Sequence, residues 1–199
     1  LEWAKNLYRG TCKAAAAFDV AIVGGETSST NGPIVISVGM TGFAEPKRWV
    51  SRAGGRAGDE LFVTGRLGGS LAGRHLRFLP RLAESRWLTE NFPVHAMIDL
   101  SDGLGADLPR LARANGLDFE VDESGLPLSR GCNTAQAISD GEDYELLFAI
   151  PSMHARPLAA RWRKKFPVLP LTRIGRLTRK SNSPRAGQNS KWRGYAHFK

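Results

Sequence analysis

Short apolar, β-branched runs alternate along this chain with longer segments whose apolar residues recur at helical spacing, and that alternation constrains the fold more than any other feature. "FDVAIV" before Gly24-Gly25 and "PIVISVGMTG" after a polar turn read as strands, as does "ELFVTG" at 60–65. The last runs into "RLGGSLAGRHLRFL", where Leu71, Leu76 and Leu79 indicate a helix laid on a sheet. "PRLAESRWLTENF" continues helical until Pro93 breaks it. "VHAMIDL" is then a strand, "ADLPRLARANG" a helix stopped by Gly116, and "LDFEV" and "DYELLFAI" two strands. "MHARPLAARWRKKF" adds a helix and "VLPLTRIGRL" a strand. A chain ordered in this way is α/β or α+β, with helices covering a sheet. "LEWAKNLYRG" reads as the middle of a helix with no start signal, so the sequence is expected to be a piece of a longer protein.

The formal charge of +9 resembles that of a nucleic-acid binder until it is located. From Pro151 onward there are thirteen Lys/Arg and no Asp/Glu, whereas the first 150 residues hold fifteen basic and nineteen acidic residues. That tail could meet a polyanion through charge alone, but its basic residues are not interleaved with stacking aromatics, apart from "RWRKKF". It reads first as a solvated basic face or a lobe near a bound nucleotide. The run "AAAAFDVAIV" is too short for the ~20 residues that span a bilayer and has no signal-peptide cleavage pattern. A cytoplasmic protein is expected. Cys12 and Cys132 form no CxxC and read as idle thiols. "RKSNSPRAGQNSK" (179–191) has the composition of a loop.

Polar chemistry concentrates where one strand feeds a helix, in "MIDLSDGLGADLPRLARANG". In an extended segment Asp99 and Ser101 share a side, and Asp102 begins the turn. Pro109 favours a helix starting as late as Leu108, and a start near Gly103 is also compatible. Two carboxylates so placed repel one another unless a hard cation such as Mg²⁺ joins them, with water and phosphate oxygens completing its shell. The alternative is that Ser101 or Asp102 is an N-cap and Asp99 an exposed strand end. Glu26 in "VGGETSSTNGP", the small residues of "VTGRLGGSLAG", and Glu142, Asp143 and Glu145 around Tyr144 are further polar groups. Each alone is ordinary; together they favour a nucleotide–metal site.

Taken in order, "VGGET", "SRAGGRAGDELFVTGRLGGSLAG", "PRLAE", "MIDLSDGLGADLPRLARANG", "SDGEDYELLFAIP", "IGRL" and "GYAHF" resemble the landmarks of the thiamine-monophosphate kinases, relatives of aminoimidazole ribonucleotide synthetase. The resemblance implies the remnant of an N-terminal sheet domain over 1–50 and a C-terminal α/β sandwich domain over 51–199. It implies ATP-dependent, Mg²⁺-dependent phosphorylation of thiamine monophosphate to thiamine diphosphate by a homodimer. Asp99 and Asp102 would then be Mg²⁺ ligands, joined by Glu26 where the family has an aspartate. Ser101 would contact ATP, and Arg52 the nucleotide phosphates. Glu142 and Tyr195 would hold the thiamine moiety, the Tyr195 ring stacking on a cationic heterocycle. The sequence departs from the family pattern at Glu26, at Gly69, at Ser139-Asp140 and at Ala196, and it does not include the family's N-terminal metal-binding acids. With fewer carboxylates Mg²⁺ is held less tightly. A nucleotide- or phosphate-binding domain without turnover is the alternative, and a nucleic-acid-binding protein ranks third.

Overall fold

The computed structural model describes residues 2–45, 49–180, 192, 194 and 195. They divide into two units, 1–42 and 43–199. The first contains α1 (Glu2–Ala17), which buries none of its residues and is closed by Asp19 in the left-handed region at φ 54°. Residues 20–45, which include "PIVISVGMTG" and most of "FDVAIV", form no strand. The reason is physical. A strand needs a ladder to satisfy its amides and carbonyls, and no described segment pairs with this one. Val23, Val35, Val38 and Met40 are correspondingly exposed.

The second unit is built on a five-stranded sheet in the order β2-β4-β1-β5-β3, every neighbouring pair antiparallel. The strands are β1 (Glu60–Thr64), β2 (Ala96–Asp99), β3 (Leu117–Val121), β4 (Leu146–Ile150) and β5 (Leu171–Arg179). The helices are α2 (Leu82–Asn91), α3 (Leu104–Ala114), α4 (Thr134–Ser139) and α5 (Ser152–Lys165). Side chains on a strand alternate between faces, and both faces here are apolar. Leu61, Val63, Leu147 and Ala149 pack with Leu104, Leu108 and Leu111 of α3 and Ile138 of α4. Phe62, Phe148 and Ile150 pack with Leu88 of α2 and with Leu158 and Trp162 of α5. The result is a sheet between two helical layers, in keeping with the helix-covered sheet expected from the alternation and with the α/β sandwich that the resemblance implies.

Two local expectations are corrected and one open alternative is decided. "RLGGSLAGRHLRFL" is no α-helix: it makes two single 3₁₀ turns, Ser70–Ala72 and Arg74–Leu76, with Gly69 and Gly73 in left-handed conformations that interrupt a regular helix. α3 begins at Leu104, directly after Gly103, the earlier of the two starts compatible with the sequence, so Pro109 lies inside the helix. The strand read from Asp143 starts only at Leu146, for a reason that belongs to the site. α4, held by a reciprocal capping box between Asn133 and Gln136, was not foreseen.

The basic tail is partly committed within the fold. Arg173 pairs with Glu60, Arg176 with Glu120 at 2.7 Å, and Arg161 lies over the Trp87 and Phe92 rings. Cys12 and Cys132 are free and half-buried. Among the described residues no helix is long and apolar enough to cross a membrane.

Leu147 is fully buried between α3 and the sheet. Leu147→Ala should cost about 2–5 kcal/mol in urea unfolding, whereas Val168→Ala, at a position 95% exposed, should stay within about 0.5 kcal/mol.

Candidate functional site

β2 ends at Asp99, which is exposed, and the chain then turns through Leu100–Gly103 into α3. That turn is laced to the segment ahead of β4. Leu100 N–H donates to the Glu145 carbonyl, Tyr144 N–H to the Leu100 carbonyl and Glu142 N–H to the Ser101 carbonyl, each at 2.8 Å. Glu142 and Tyr144 reach this pairing with φ of 66° and 51°. Two side-chain-bearing residues in the left-handed region break the extended conformation, which is why the regular strand begins later than its composition indicates. Gly103, at φ 89°, lies against Asp140, and a β-carbon there would sit 2.6 Å from the Asp140 carbonyl oxygen. Tyr195 N–H donates to the Asp102 carbonyl at 2.8 Å, bringing the end of the described chain onto the same turn.

The carboxylates around this turn have different partners. Asp107, in the first turn of α3 and almost fully buried, accepts the Asp102 N–H at 2.9 Å. Arg110 bridges it to Asp102: one guanidinium nitrogen touches Asp102 Oδ2 and also Asp107 Oδ1, the latter at 2.8 Å. Burial pushes the Asp107 carboxyl up, partly offset by the Asp102 N–H and by Arg110. Glu142 accepts from the Tyr144 hydroxyl at 2.7 Å. Burial, then the bond and charge of Glu142, then the charges of Asp99 and Asp102 push the Tyr144 phenol to about 12. Tyr144 therefore stays protonated and donates, and Glu142, Asp99 and Asp102 share one electrostatic neighbourhood.

Glu145, buried, accepts from Arg81 through both oxygens (2.7 and 2.6 Å) and from the Thr64 hydroxyl at 2.6 Å. Asp143 accepts from Gly68 N–H at 3.0 Å and pairs with Arg74; Asp140 accepts from Gly69 N–H at 2.8 Å. The Gly68 and Gly69 amides of the glycine-rich loop are thus held by this chain's own acids, and its left-handed glycines serve tight turns. The Tyr144 ring stacks on Phe78 at 4.0 Å. The two rings border a cleft of about 240 Å³ lined by Arg74, Arg77, Arg81 and Asp143 among others. Another, of about 220 Å³, is lined by Asp99, Arg81, Ser85 and Leu146 among others.

Asp99, Ser101, Asp102, Glu142 and Tyr195 therefore come together around one turn. Arg52 does not join them: its carbonyl accepts from Asn115, just past the far end of α3, and its side chain is exposed. Glu26 lies in the first unit and is exposed. Ala196 and residues 181–191 fall outside the described residues. Asp107 and Arg110 were missed as participants. Their spacing of three on a helix is a legible ion-pair signal, but nothing in it discloses that Arg110 also reaches Asp102. As donors, Asp99 and Asp102 fit a hard cation that takes two carboxylates and fills its remaining positions with water and phosphate oxygens. Among the described residues no three His, Cys, Asp or Glu side chains gather into a metal-binding group.

The family described as AIR synthase related protein matches the chain twice, by its N-terminal domain over residues 1–44 and by its C-terminal domain over residues 69–184. A thiamine-monophosphate kinase of Rhodopirellula baltica is 38% identical over 187 residues, covering 88% of this chain and 57% of the relative. One from Aquifex aeolicus is 32% identical over 228 residues, covering 100% of this chain and 70% of the relative. The solved complex of AaThiL with AMPPCP and TMP is 30% identical with a TM-score of 0.55, covering 75% of this chain and 54% of that one. The chain spans 57–64% of the length of the first relatives it matches.

Burial, outweighing Gly68 N–H and Arg74, pushes the Asp143 carboxyl up from 3.8 to about 6. Between these values the folded state holds a proton that the unfolded state has lost. Stability from this group is therefore greatest in acid and falls as pH rises through the window. Asp143→Asn should flatten the stability–pH slope between 3.8 and about 6, as read by urea unfolding at stepped pH; an unchanged slope would place the titration elsewhere.

Proposed function

The chain belongs to the thiamine-monophosphate kinases within the AIR synthase related family, and from that membership we propose that its protein transfers the terminal phosphoryl group of ATP to the phosphate of thiamine monophosphate. The observation that carries this reading is the convergence of the Asp99–Asp102 turn, Glu142 and Tyr195, tied by backbone bonds of 2.8 Å from Glu142 to Ser101 and from Tyr195 to Asp102. Phosphoryl transfer asks a protein mainly to position two phosphates in line and to place charge around them.

In this reading Ser101 contacts ATP, and Asp99 and Asp102 would hold Mg²⁺. When bound, Mg²⁺ supplies the positive charge that spreads the negative charge of the transferring group. Arg52 meets the nucleotide phosphates, which requires its exposed side chain to be reached by a ligand extending beyond the Asp99–Asp102 turn. Glu142 sets a carboxylate against the cationic thiamine moiety, and Tyr144 fixes one of its oxygens by donating at 2.7 Å. Tyr195 supplies the aromatic face. The segment around Glu142 orients the acceptor without taking part in bond making. A homodimer and a cytoplasmic location accompany this reading.

The chain should bind a non-hydrolysable ATP analogue in calorimetry only with Mg²⁺ present, and thiamine monophosphate afterwards. Binding of neither ligand by folded protein would overturn the reading for this chain. In active full-length protein, Asp102→Asn should reduce turnover by about a hundredfold or more, the scale set by losing one electrostatic contact to the transition state. Its thermal midpoint should move far less. Glu142→Ala should weaken thiamine monophosphate binding and leave nucleotide binding nearly unchanged.

A further inference from the structure

Asp102 already carries a cation. The Arg110 nitrogen that touches Asp102 Oδ2 is also 2.8 Å from Asp107 Oδ1, and the three groups differ in what they can give up. The Asp107 side chain is 1% exposed, and its second oxygen accepts the Asp102 N–H at 2.9 Å. It must keep a counter-charge, since a buried carboxylate left alone is costly. The Asp102 side chain is 24% exposed and that of Arg110 40%. Their contact is the solvent-facing half of the bridge and the half that is cheap to break.

We propose that Arg110 is an internal counter-cation that occupies Asp102 until a divalent cation displaces it, remaining on Asp107 throughout. The guanidinium has five N–H donors and can leave one acceptor while holding another. Asp107 is its permanent anchor and Asp102 its exchangeable partner. With the site empty, Arg110 neutralises one of the two carboxylates that would otherwise repel across the turn. When a cation arrives, the same positive charge opposes it and lowers its affinity. Arg110 is thus a positioning residue that sets the cation concentration at which the site fills. The inference rests on the reading of Asp99 and Asp102 as the cation-holding pair.

Mn²⁺ alone is the probe, followed by electron paramagnetic resonance on the 199-residue chain. Arg110→Gln, which removes the charge and keeps an amide donor for Asp107, should bind Mn²⁺ about tenfold more tightly than the unaltered chain, the scale of removing one nearby like charge. Arg110→Lys, which keeps the charge, should stay within about threefold of the unaltered chain. Equal or weaker binding by folded Arg110→Gln, or no binding by either form, overturns the inference. Should Arg110→Gln not fold, side-chain ¹⁵N resonances of Arg110 in the unaltered chain decide: they should shift as Mg²⁺ is added, and constancy through about 20 mM, well above the roughly millimolar range of weak carboxylate sites, overturns it. Asp102→Asn separates the two levels. Mn²⁺ binding that survives Asp102→Asn sinks the cation-pair reading itself, whereas binding that needs Asp102 but ignores Arg110 sinks only the displacement.

Discussion

The buried carboxylate of Glu145 is the interaction on which the site's framework depends. It accepts three hydrogen bonds, two from Arg81 and one from Thr64, whose own oxygen accepts the Leu146 N–H at 2.9 Å. One side chain thereby joins the end of β1, the start of β4 and the loop that leads into α2. Its carbonyl takes the Leu100 N–H, adding the end of β2. A charge so placed is tolerable only because a bidentate guanidinium and a hydroxyl satisfy it together. The bend at Gly65, at φ 65°, is part of the same arrangement, since a β-carbon there would collide with the Glu145 carboxylate.

Around that anchor the chain spends acids in two ways. Asp140, Asp143, Asp107 and Glu145 face inward and hold loop amides, arginines or both; they build the turn. Asp99 lines a cleft and Glu142 accepts from the Tyr144 hydroxyl beside it, while Asp102 is held by Arg110. This division explains how a segment as acidic as "SDGEDYE" can sit in a folded interior: Asp140 and Asp143 receive backbone N–H groups and Glu145 receives Arg81. The two left-handed residues, Glu142 and Tyr144, lie between these anchors, so their backbone strain is held by neighbours on either side.

Sequence reading recovered a helix-covered sheet because the alternation of apolar periods dictates it. β1 through β5, α2, α3 and α5 follow from residues whose burial is forced whatever their partners. It failed where a partner decides. "PIVISVGMTG" has strand composition but no described strand beside it, and "RLGGSLAG" has helical leucines but glycines turned left-handed against the 136–143 segment. For the site, DxSD, GEDYE and the late GY were legible as polar clusters and as a family resemblance. Their contact was not, because more than ninety residues separate Asp102 from Tyr195.

The sequence alone determined the composition of the site: which carboxylates, hydroxyls and aromatic rings exist, and that a strand delivers Asp99 to a helix start. Residue type and short-range periodicity suffice for that, since both act over one or two turns of chain. Only the tertiary structure decided how each acid is used. Whether Asp102 faces Arg110 depends on the path of the turn into α3, and whether Asp143 is buried and the glycine-loop amides are taken depends on segments distant in sequence. Electrostatic energy depends on distance and solvent exposure, and neither is written in the order of residues.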